Sequence, residues 1–91
     1  MIVFIGKDKP ESEKIRTANR EEHVAIMKEL HQKGLIHFAG PFINDQGQMS
    51  GSLIIFSTDD EKMVQEIMAN DPYVKAKLFA EREISKVKKV L

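Results

Sequence analysis

Two short runs restrict the fold of this chain more than any other feature. Ile2-Val3-Phe4-Ile5 and Leu53-Ile54-Ile55-Phe56 are apolar at every position. A strand with one face in water alternates apolar and polar residues. An unbroken run therefore points to a strand covered on both faces. With 91 residues the chain has room for one domain and one core. The other segments must supply what covers these two strands.

Residues 7–14 (Lys-Asp-Lys-Pro-Glu-Ser-Glu-Lys) read as a solvated loop. A helix follows, opened by Thr17 or by Asn19, which with Glu22 resembles a capping box. Val24, Ile26, Met27 and Leu30 recur at helical spacing, and Gly34 is a natural stop. Leu35 to Ile43 is a second strand. Gly40-Pro41 is expected to bend or end it, because proline has no N–H for a central ladder. Asn44 to Gln48 is a turn, and Gly51 to Phe56 closes an antiparallel hairpin. Thr58-Asp59-Asp60-Glu61 reads as a capping box for a helix carrying Met63, Val64, Ile67 and Met68. That helix must stop before Pro72, which suits the first position of a short helix reaching about Leu78. Phe79 to Val90 is a charged final strand, expected at a sheet edge and with a bulge or bend.

This order is the ferredoxin-like βαββαβ arrangement of the α+β class, a four-stranded antiparallel sheet with both helices on one face. Its first and third strands form the central pair, and those are the two unbroken apolar runs. The second sheet face would then be open, which predicts a homodimer with the sheets facing each other. The alternative is that the C-terminal segment folds across it.

Composition removes several classes of function. Cysteine is absent, so disulfides, thiolate chemistry and Cys-based zinc sites are excluded. The formal net charge is zero, against a nucleic-acid partner or an anionic membrane partner. Apolar runs fall far short of a membrane span, and the N-terminus does not read as a signal peptide. A cytoplasmic location is expected.

Chemistry gathers around His23. At about 100° per residue it lies at the centre of the apolar stripe of its helix. A lone histidine there is ordinarily a core residue bonded to a carbonyl. Here Asp71 stands in a sharp turn at the end of the second helix, and the topology lets the two helix ends meet. A carboxylate on one ring nitrogen would fix the tautomer and leave the other nitrogen for general base or acid work. Asp71 equally suits the N-cap of the helix opened by Pro72. Tyr73, the only tyrosine, either orients a substrate oxygen or packs. Gly40 and Gly51, on neighbouring strands, leave room for a ligand or mark bends, with Pro41 and Ser52 beside them. Arg20, one turn before His23, either neutralises an anionic substrate or is solvated. His23, His31 and His37 lack a metal-ligand spacing, so no metal and no cofactor are expected. No glycine-rich phosphate loop is present.

Arg20-x-x-His23, Gly34-Leu35 leading to Ala39-Gly40-Pro41, Gly51-Ser52 and Asp71-Pro72-Tyr73 together resemble the YCII-related family, in order and approximate spacing over nearly the whole chain. The resemblance implies a dimeric ferredoxin-like α/β-barrel and a His–Asp site whose counterparts are His23 and Asp71. Some relatives are dehydrochlorinases of chlorinated hydroxyquinols. The polar stretch 7–18 and His37 depart from the pattern. The expected function is general acid/base chemistry, elimination or isomerisation of a small oxygenated substrate, with Tyr73, Gly40, Pro41, Ser52 and Arg20 contacting it. The alternative is a dimeric, non-catalytic binding or interaction module with a structural His–Asp pair.

Overall fold

A computed structural model describes all 91 residues. In chain order they form β1 (Ile2–Asp8), α1 (Glu13–Gln32), β2 (Ile36–Ile43), β3 (Met49–Phe56), α2 (Glu61–Ala69), α3 (Pro72–Lys75) and β4 (Phe79–Lys86). The sheet order is β2-β3-β1-β4 and every pairing is antiparallel. This is the α+β, ferredoxin-like architecture, with the two unbroken apolar runs in its central strands.

The register explains why both runs are apolar throughout. Ile2 faces Phe56 and Phe4 faces Ile54 across β1 and β3. These four join Met27, Val64, Met68, Tyr73 and Leu78 in the core beneath the helices. The intervening Val3, Ile5, Leu53 and Ile55 point to the other face, where the last three are only half-buried. Phe38 and Phe42 of β2 add to that face and are exposed. The C-terminal residues do not cover it: Val87, Val90 and Leu91 stand in solvent.

Several boundaries differ from the sequence reading, each for a local reason. Of the stretch 7–14 only residues 9–12 form a loop. β1 continues to Asp8, and α1 begins at Glu13. Asn19 is therefore inside the helix, its side-chain amide donating back to the Ile15 carbonyl at 2.9 Å rather than capping. At the other end, Gly34 does stop the helix, with φ of +77°. The Leu35 N–H reaches the Leu30 carbonyl and the Gly34 N–H reaches that of His31, the Schellman pattern.

β2 neither bends away nor ends at Gly40-Pro41 but runs through to Ile43. It is an edge strand, so the missing proline N–H can face outward at no cost to the ladder. β3 begins two residues early, at Met49. The cap of α2 is Asp60, whose carboxylate accepts from Met63 N at 3.1 Å, while Thr58 Oγ1 accepts from Asp60 N. α3 stops at Lys75, earlier than expected, and Lys77 takes φ of +60°. β4 ends at Lys86 and holds the expected edge position. Its bulge is at Ala80, since Lys7 and Asp8 pair with Glu81 and Phe79. The bulge turns the Phe79 ring onto Gly6, where an added Cβ would approach it to 2.7 Å.

Candidate active site

α1 lies across the sheet and leaves a cleft between itself and the β2 edge. The cleft has a volume of about 490 Å³. Its α1 wall carries Arg16, Arg20, His23, Met27 and His31, its strand wall Ile36 to Pro41 with Ser52, and Tyr73 closes the inner end. Of the residues expected to form a site, His23, Tyr73, Gly40, Pro41, Ser52 and Arg20 all line this one cleft. Gly51 does not. A Cβ there would meet the Gly6 carbonyl oxygen, so its missing side chain makes room for backbone.

Asp71 sits behind the cleft and is fully buried. α2 ends just before it and Pro72 starts α3 just after it, so the break turns its side chain inward. One carboxylate oxygen accepts from Tyr73 N at 2.9 Å and caps α3. The other stands 2.7 Å from His23 Nδ1. A buried carboxylate is an acceptor, so Nδ1 carries the proton and Nε2 keeps its lone pair. Nε2 has no partner within the protein, yet no buried side-chain nitrogen or oxygen is left unpartnered. Nε2 therefore opens on the cleft that His23 lines. The imidazole also stacks on the Tyr73 ring, with centroids 4.1 Å apart and planes at 22°.

Arg16 and Asp8, which the sequence reading had placed in solvated polar surroundings, are half of the site's polar framework. The Arg16 guanidinium donates from Nε to Asp8 Oδ2 at 2.7 Å and from Nη2 to Asp8 Oδ1 at 2.8 Å. Nη2 also reaches Ser52 Oγ at 3.1 Å. The same group lies over the Tyr73 ring, 4.6 Å from its centroid. Burial would lower the pKa of Arg16, but hydrogen bonding and charge from Asp8 outweigh it and raise the pKa. Burial also pushes the Tyr73 phenol above its ordinary value, although Arg16 and Arg20 pull it down. Tyr73 thus stays a neutral hydroxyl at neutral pH. That hydroxyl lies beside Arg16, which acts on it through charge and a side-chain hydrogen bond, and Tyr73 lines the inner end of the cleft.

Arg20 is exposed on the rim. His31 and His37 are also exposed and line the same cleft, so His31 shares the side of α1 that bears His23. Arg16 could have been found by the periodicity that singled out His23. It lies seven residues earlier, within about 20° on a helical wheel. Starting the helix too late hid it.

The chain is thus a small ferredoxin-like domain with a buried histidine–carboxylate pair beside an open cleft. Residues 1–88 match the YCII-related domain, and the chain belongs to that family. It is 31% identical over 94 residues to an uncharacterized protein of Haemophilus influenzae, covering 97% of this chain and 96% of the relative. It is 30% identical over 96 residues to protein YciI of Escherichia coli, covering 99% and 98%. Among solved structures it is similar to the 5-chloro-2-hydroxyhydroquinone dehydrochlorinase of Burkholderia phenoliruptrix in complex with 2,5-dihydroxybenzoquinone. There the TM-score is 0.83 at 32% identity, over 97% of this chain and 94% of that one. A Mycobacterium tuberculosis protein superposes with a TM-score of 0.51 at 9% identity, over 99% and 96% of the two chains, a likeness of fold alone.

Proposed function

We propose that this chain is a small-molecule enzyme in which His23 is the general base and acid and Asp71 orients it. The observation that carries the reading is the polarity of the pair: Nδ1 held by a fully buried carboxylate, Nε2 facing the cleft. Asp71 fixes the tautomer and balances the positive charge that the ring acquires on taking a proton. The reaction class is proton abstraction followed by elimination or isomerisation on a small oxygenated substrate. In elimination, the Nε2 lone pair takes the proton, the electron pair of the broken bond to hydrogen forms the new π bond in the substrate, and the leaving group departs with its own bonding pair. In isomerisation His23 returns the proton elsewhere on the substrate. The cleft volume of about 490 Å³ suits a single-ring molecule. Similarity to a dehydrochlorinase of a chlorinated hydroxyhydroquinone points the same way. Tyr73, Ser52, Arg20, Gly40 and Pro41 are the groups that would contact such a molecule.

The test is chloride release from a chlorinated hydroxyhydroquinone, wild type against His23→Ala. A positioned base contributes roughly 100- to 10,000-fold, so the variant should lose that factor in kcat. Equal rates in a folded variant would refute the role.

A second proposal concerns assembly: the face carrying Ile5, Leu53, Ile55, Phe38 and Phe42 takes a second copy of this chain. Phe38 is 48% exposed there, beside half-buried aliphatic neighbours. An apolar surface of this kind ordinarily has a partner. Sedimentation at micromolar concentration should give a dimer that Ile55→Glu dissociates. A monomeric wild type would end this proposal.

A further inference from the structure

We infer that Arg16 is the anion-holding group of the cleft, and that the substrate arrives with an ionised oxygen, a carboxylate or an acidic enol or phenol. The inference deepens the reading of His23 as a base and rests on it for the identity of the site.

Arg16 is 6% exposed, too buried for a solvated surface cation. Asp8 holds its Nε and Nη2 edge by two bonds, Ser52 adds a third, and the Tyr73 ring supports one face. Asp8 and Ser52 leave Nη1 unclaimed, the Tyr73 hydroxyl lies beside the guanidinium, and Arg16 lines the open cleft. A guanidinium fixed on one edge and free on the other is a prepositioned donor that needs no reordering to bind.

Two further donors share this end of the cleft. Tyr73, whose hydroxyl lies beside Arg16 and has a proton to donate, lines it, and so does Ser52, whose Oγ accepts from Arg16 and retains its own proton. The Tyr73 ring carries the Arg16 guanidinium over it and stacks on the His23 imidazole, so an oxygen held by Arg16 sits at the same end of the cleft as His23. Negative charge that develops on that oxygen as Nε2 takes a proton is met by donors already in place.

The charge of the cleft fits the same ligand. No aspartate or glutamate lines it, whereas Arg16, Arg20 and Lys28 do. Asp8 and Asp71 stand behind the walls, each bonded to a nitrogen of Arg16 or His23. The exposed Arg20 and Lys28 draw an anion toward the mouth.

The test compares 2,5-dihydroxybenzoquinone, whose enolic hydroxyls ionise, with its dimethyl ether, which cannot. The probes are titrated by absorbance into wild type, His23→Ala and the double variant Arg16→Met/Asp8→Leu. Removing both charges avoids leaving a buried carboxylate unpaired. Wild type should prefer the ionised probe by about tenfold or more, the worth of one charged hydrogen bond. His23→Ala should keep that preference even where it abolishes turnover, so a failure of the base and a failure of the anion site are separately visible. The double variant should bind both probes alike. A second reading needs no variant: in wild type the bound anion should raise the midpoint of the Tyr73 phenolate titration, and the ether should leave it in place. Equal wild-type affinities, no binding of either probe, an undiminished preference in the double variant or an unmoved Tyr73 titration would each overturn the inference.

Discussion

Replacing Asp71 by asparagine separates the two duties of its carboxylate. The residue is fully buried, and its two oxygens accept from different donors, His23 Nδ1 and Tyr73 N. Alanine at this position loses the cap and so leaves the buried Tyr73 N–H unsatisfied, together with that of His23 Nδ1, about 1–3 kcal/mol each. A total of about 2–6 kcal/mol is a large share of the 5–15 kcal/mol that holds an ordinary domain together. At about 4–8 °C per kcal/mol the melting temperature of Asp71→Ala should fall by about 8 °C or more. Asparagine caps a helix as well as aspartate does. With its oxygen on Tyr73 N, its NH2 must face His23 Nδ1. A donor there requires Nδ1 to be the acceptor, so the ring proton moves to Nε2. Asp71→Asn should therefore melt within about 1 kcal/mol of wild type, by the same cap and hydrogen-bond magnitudes. Its cleft-facing nitrogen would nonetheless be protonated and useless as a base. Long-range nitrogen–proton correlation spectra of the imidazole read the tautomer directly, and thermal melts read the stability. If Nε2 remained unprotonated in Asp71→Asn, or if asparagine melted as low as alanine, the assignment of the two oxygens would be wrong.

Three further outcomes follow from the geometry. With one tyrosine and no tryptophan, phenolate absorbance reports Tyr73 alone, and its midpoint in the folded protein should lie above the ordinary 10.0. Because the folded value is the higher, this residue's contribution to stability is present below pH 10.0 and is lost as pH rises through the folded value. Melts across that range should show an alkaline decline that Tyr73→Phe removes. Gly51→Ala should cost stability, because the new Cβ meets the Gly6 carbonyl oxygen, which belongs to the central strand and cannot rotate away; a melt equal to wild type would refute that contact. Asp60→Ala should lose about 1 kcal/mol, whereas Thr58→Ala, which removes only a turn bond, should lose less in parallel denaturant titrations.

What the sequence disclosed was whatever short-range chemistry decides. The two unbroken apolar runs located β1 and β3, whose residues alternate between the core beneath the helices and the opposite, partly open sheet face. Gly34 and Pro72 marked helix ends because each acts through its own backbone. His23 stood out against apolar neighbours, and Asp71 against a helix break. Arg16 and Asp8 did not stand out. Lys7 to Lys14 has the composition of a solvated loop around Pro10, and nothing local reveals that its first two residues extend a strand. The Arg16–Asp8 pair spans the turn between β1 and α1, and its burial depends on Ser52 and Tyr73, which are distant in the chain. Pro41 was misleading for a related reason. Its effect on a strand depends on whether the strand has one neighbour or two, which is a property of the finished sheet.

That same edge position gives the cleft one hard jaw and one soft one. α1 is anchored through Met27, His23 and Arg16 into the core and the Asp8 and Asp71 carboxylates. β2 is hydrogen-bonded to β3 alone, with ladder irregularities at both ends of its register. Molecules of different width in the cleft would be met by motion of the hairpin, while His23 and Arg16 keep their spacing. Amide exchange should therefore be fastest in β2 among the strands that border the cleft. Changes in ligand range should accumulate between Phe38 and Met49, leaving the α1 wall untouched.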